Sequence, residues 1–107
     1  MDTITQILKL EKPVKVKFSK RNHNAWDASY TPRFTKWGDV KCHVIKIYNN
    51  PDRSRTIDEL IAHELIHAWQ EENAVEDIHG KPFQKMARKI KKAMPHLINI
   101  YDANLDC

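Results

Sequence analysis

The 107-residue chain has only two cysteines, Cys42 and Cys107, and no CxxC pair, so neither a disulfide framework nor a zinc ribbon accounts for its stability. Glycine and proline are scarce as well, at two and five residues. With 41% hydrophobic and 30% charged residues, that composition is wrong for a disordered tail and ordinary for a folded domain. No apolar run nears the roughly 20 residues that cross a bilayer. The opening MDTITQILKLEK lacks the basic start and long apolar segment of a secretion signal. The expectation is an intracellular protein, cytoplasmic or nucleoid-associated, with no membrane contact. Repeats and low-complexity segments are also missing, which excludes solenoids and linkers. What remains is a single domain over 1–107, long enough for a modest core and expected to be monomeric.

The order of elements follows from periodicity. Residues 2–11 read as a short helix with Ile4, Ile7 and Leu8 at helical spacing, closed by Pro13. VKVKF, residues 14–18, alternates strictly and predicts a strand with one wet face. SKRNHNAWDASYTPR reads as a long loop, a length that marks functional or mobile segments. FTKW and VKCHVIKIY flank Gly38-Asp39 and predict a β-hairpin over 34–48. TIDE, residues 56–59, has the form of a capping box, so the main helix should start at Ile57 and run to Glu72 or Asn73. Gly80 and Pro82 open a second helix that Pro95 ends. The tail HLINIYDANLDC carries no clear signal. The fold class expected is α+β: a short N-terminal helix, a small mainly antiparallel sheet of about three strands, and two later helices.

In the most apolar stretch, TIDELIAHELIHAWQ, stands HELIH. Positions 63 and 67 lie one turn apart, so His63 and His67 can converge on one ion. Glu64, about 100° around the helix, can reach a water on that ion and act as general base. A helical wheel sets Ile57, Ile61, Leu65 and Ala68 on the core side and both histidines on another arc. Two hydrogen-bonded boundary histidines are the alternative reading; their grouping with Glu64 on a buried helix favours the metal. A catalytic zinc needs a third protein ligand and an open position. Gln70 and Asn73 stand where a metzincin needs glycine and histidine, which excludes that family. From Ile78 to Tyr101 there is no acidic residue, which disfavours a glutamate ligand from the next helix. His79 is therefore the expected third ligand, with Glu76, Asp77 and His96 as weaker candidates. Tyr30, His43, Tyr48 and His96 are candidates for stabilising the oxyanion.

HELIHAW, followed by a polar loop and HGKPFQKM, resembles the SprT-like, or Spartan-type, zinc metalloprotease domain, over roughly residues 36–94. Its signature joins HExxH to a third histidine in an HGxxF segment. The resemblance implies His63, His67 and His79 as ligands of one Zn2+ per chain, with Glu64 as general base. It further implies peptide-bond hydrolysis in DNA-associated or DNA-crosslinked proteins. The interval from His67 to His79 is shorter than in better-known members, and no cysteine-rich ribbon follows. A non-catalytic zinc-stabilised module and a hydrolase of another amide or ester are the rival readings.

Net charge is +4, unevenly spread: Glu71, Glu72, Glu76 and Asp77 form an acidic stretch, whereas residues 81–92 carry cations alone. Lys81, Lys85, Arg88, Lys89, Lys91 and Lys92 lie opposite the Phe83, Met86 and Ile90 stripe. A solvated helix face is the plain reading of such a run; the resemblance favours non-specific contact with single-stranded or distorted DNA, with Lys15, Lys17, Lys20 and Arg21 extending the patch. Trp26, Tyr30 and Trp37 could stack on unpaired bases, with closure of the small core as the plain reading of the same rings.

Overall fold

The computed structural model describes residues 2–23, 25–51, 55–76 and 79–97. Asp77 and the tail from residue 98 onward, Cys107 included, lie outside the described residues. The order is α1 (Asp2–Leu8), β1 (Val14–Phe18), β2 (Ala28–Phe34), β3 (Val40–Ile47), α2 (Ile57–Glu72) and α3 (Lys81–Ala93). This is the expected α+β fold.

The sheet is mixed, in the order β1-β3-β2. β2 runs antiparallel to β3, but β1 runs parallel to it, with Val14 opposite His43 and Phe18 opposite Ile47. Half of the pairing thus departs from the antiparallel expectation. The cause is the connection after β1, which carries the chain across the end of β3 to the far edge. That crossing spans two strand spacings, roughly 10 Å. The long segment after Phe18 is therefore shorter than its sequence suggests and serves as a crossover. It is pinned: the Asn50 side chain accepts from the His23 amide at 2.7 Å and donates to Asp27 at 2.8 Å. His23 in turn stacks on Trp26, with ring centroids 4.9 Å apart.

The hairpin exists, but its first strand is ASYTPRF and not FTKW, whose last residues form the turn. Pro32 masked that strand, since it cannot donate to a ladder. It is tolerated because β2 is an edge strand.

α2 begins as its capping box predicts: the Thr56 amide donates to Glu59 Oε1 at 2.9 Å and the Glu59 amide to Thr56 Oγ1 at 3.2 Å. Both α1 and α2 end in Schellman turns. Lys9 and Ala74 take the left-handed position, each at φ 53°, where glycine is the usual occupant. α3 starts at Gly80 with proline in its first turn and ends at Met94 before Pro95.

The layers are sheet, α2, then α3. α2 contacts β2 and β3 on one side and α3 on the other, while α1 touches both helices. Ile45, Ile47, Leu60, Leu65, Ile66, Phe83, Ala87, Ile90 and Leu97 form the core between them. Because α2 is covered on two sides, the histidine arc is not an outward one. His63 is wholly buried and His67 nearly so, whereas Ile57 and Ile61, assigned to the core by the wheel, are only half-buried.

Candidate metal centre

His63 and His67 face α3 from successive turns of α2, and His79 reaches them from the turn that precedes α3. One nitrogen from each ring can be chosen so that all three lie within 4.8 Å of one another. Nε2 of His67 sits 3.2 Å from Nε2 of His63 and 3.2 Å from Nε2 of His79. Its other ring nitrogen is spoken for: Nδ1–H donates to Gln70 Oε1 at 2.8 Å. Neutral His67 then presents a single lone pair at Nε2. One lone pair cannot satisfy two ring nitrogens, but one cation can be shared by all three rings. The donor set therefore fits a metal ion.

Phe83 fixes the arrangement from below. Its ring centroid lies 4.7 Å from that of His63, 5.2 Å from His67 and 5.3 Å from His79. It is 1% exposed, so α3 delivers to the centre an apolar platform that every imidazole touches. Gln70 and Phe83 are the two supporting residues that sequence reading did not single out for this task. Gln70 had served only to exclude the metzincins, though its i+3 spacing from His67 signals a shared face. Phe83 is the phenylalanine of the HGxxF segment and part of the α3 apolar stripe, and neither reading assigns it a contact with the histidines.

Glu64 is wholly buried, one position beyond His63 and about 60° around the helix from His67. Burying a carboxylate is costly and persists only where a partner or a task offsets it. Among the weaker ligand candidates, Glu76 and His96 are exposed.

The oxyanion candidates are engaged elsewhere. Tyr30 Oη bonds His43 Nδ1 at 2.7 Å, and His43 Nε2 bonds the Glu72 carboxylate. Glu72 lies roughly 180° around α2 from His63, on the sheet side. Burial, followed by the charges of Glu71, Glu72 and Cys42, pushes the Tyr30 phenol well up from 10.0. Burial would raise Glu72 too, but the Glu11 amide, the His43 ring and the Lys12 amide outweigh it and hold the carboxyl below 4.5. Tyr48 bonds Ser29 at 3.2 Å and lies against His23. His96 is exposed just beyond α3.

The cationic residues Lys81, Lys85, Arg88, Lys89 and Lys92 are exposed on α3, and Lys91 is half-buried. Among the described residues α3 touches no strand. Lys15 and Lys17, on the far layer, therefore do not extend its patch. Trp37 is 79% exposed in the β2–β3 turn, whereas Trp26, 39% exposed, already has His23 stacked on its ring.

An α+β domain whose central helix brings HExxH against a third histidine is metallopeptidase-like in design. The SprT-like family model matches residues 5–103, nearly the whole chain, and the protein belongs to the SprT-like family. That family is associated with metalloprotease-type activity. No curated protein and no solved structure matches the chain. No helix among the described residues is long and apolar enough to cross a membrane.

Proposed function

We propose that this protein is a zinc-dependent metallopeptidase, with His63, His67 and His79 as ligands and Glu64 as general base. The observation that carries this reading is the convergence of three imidazole nitrogens beside the HExxH turn, with His67 Nε2 3.2 Å from Nε2 of both His63 and His79 and all three within 4.8 Å. Two nitrogens placed tetrahedrally about 2.05 Å from zinc lie roughly 3.3 Å apart, which supports zinc as the metal. When bound, zinc supplies Lewis acidity, lowering the pKa of a water and polarising the scissile carbonyl.

The chain's own residues do the rest. Gln70 holds the His67 proton at Nδ1, so the ring's lone pair lies at Nε2, the ligating position. Phe83 keeps the three rings in place and excludes water from their lower side. Glu64 takes a proton from the attacking water and returns it to the leaving amine as the peptide bond breaks. Three protein ligands leave a position for substrate, which distinguishes this reading from a structural zinc closed by four.

The proposed substrates are proteins bound or crosslinked to DNA, with the exposed cations of α3 meeting phosphates. That part rests on family membership and on charge. A zinc-loaded sample assayed on protein substrates with and without DNA tests the reading. Glu64→Gln should keep one zinc per chain and lose at least ~100-fold in cleavage. Unchanged cleavage would remove Glu64 from its role. Turnover of small amides or esters alone would favour the rival hydrolase, and zinc binding without any turnover would favour the non-catalytic module.

A further inference from the structure

The three strands hold Lys15, Lys17, Arg33, Lys41 and Lys46 and not one carboxylate. All five cations are exposed, and among the described residues none is in an ion pair. Register explains where they gather. Lys15 is opposite Val44, Lys17 opposite Lys46 and Arg33 opposite Cys42, so these residues share the sheet face turned away from α2. Lys41 would point the other way by strict alternation. The bulge between Arg33 and Phe34 leaves it unpaired, however, and its side chain joins the outer face. The result is a groove of about 310 Å³ with Cys42 and Val44 as floor and four cations as walls, and Phe34, paired with Val40 at the strand end, forms the rim between it and the groove lined by Glu11, Asp39, Glu71 and Glu72. Phe34 is 53% exposed at its end, and Trp37 is 79% exposed three residues further on.

We propose that this outer sheet face binds single-stranded nucleic acid. Unpaired cations on an acid-free sheet attract a polyanion, and exposed aromatic rings beside them give unpaired bases a surface to stack on. A duplex offers no free base faces to Phe34, and only a single strand brings a flat ring with every phosphate along its length. The inference adds a second surface to the proposed nucleic-acid partner, on the opposite layer from α3, and needs neither the metal nor Glu64.

The test is fluorescence anisotropy of a labelled oligothymidylate with the full zinc-loaded chain across a salt series. Replacing Lys15, Lys17, Arg33 and Lys41 by Glu should weaken binding at least ten-fold. It should also reduce the salt slope by about 2 to 3, at ~0.7 per phosphate contact. Phe34→Ala, which keeps every charge, should weaken binding about five-fold or more at an unchanged slope. If the quadruple variant does not fold, Lys15→Gln with Lys17→Gln should give about half the slope change. Wild-type affinity and slope in the sheet variants would overturn the proposal. So would an unchanged affinity in Phe34→Ala, which would make the face a plain polyanion surface. Reversing Lys85, Arg88 and Lys92 to Glu reads α3 separately, so loss there alone would refute the sheet site while leaving the α3 contact standing.

Discussion

At Gln70 a single hydrogen bond decides what a histidine can do. By accepting from His67 Nδ1–H, the amide oxygen fixes the ring's tautomer and orientation and leaves Nε2 as a ligand. Gln70→Leu keeps the residue's approximate bulk in a site only 4% exposed, so packing should survive. Zinc affinity should fall about 10- to 100-fold, measured by competition with a chromogenic chelator. Unaltered affinity would mean that the Gln70 bond does not orient the ligand. His63, Glu64 and His67 were legible in the letters because i, i+4 spacing on a helix is a purely local relation. His79 was reached by elimination and resemblance, and the geometry brings it to the other two. Phe83 and Gln70 were illegible in these roles because a supporting contact is defined by what lies across a tertiary interface.

Elements follow the same division between local and distant. The start of α2, the start of α3 and the span of β1 were readable from capping, proline and alternation, which act within a few residues. β2 was not, because only an edge position makes Pro32 acceptable, and edges belong to the sheet and not to the strand. Parallel pairing of β1 with β3 was hidden for the same reason. The far end of α2 is tied to these strands through Glu72, which bonds His43 and also accepts from the Glu11 amide at 2.8 Å and the Lys12 amide at 3.1 Å. Its carboxyl is held below 4.5 in the fold. The depressed value means that this stabilisation is present above the unfolded carboxyl range and is lost as pH falls through the folded pKa. Glu72→Gln should therefore cost about 2 kcal/mol near neutrality, and progressively less as the medium is acidified below about pH 4, in urea titrations at several pH values. An equal cost at every pH would indicate packing alone.

Taken whole, the molecule is a three-layer stack, with the candidate centre between α2 and α3 and the sheet on the far side of α2. This arrangement explains how the core helix accommodates its histidines: one flank meets the inner face of the sheet, and the other carries His63 and His67 against His79 and Phe83. It also separates the two cationic surfaces, on α3 and on the outer sheet, which composition alone had merged into one patch. The most direct measurement on the central claim is the zinc X-ray absorption spectrum of the purified chain, with metal content determined on the same sample. One zinc per chain, with three imidazole nitrogens at about 2.0–2.1 Å and one further light atom, is the predicted result. A sulfur shell from Cys42, a fourth protein ligand, or a spectrum unchanged by His79→Ala would contradict the account.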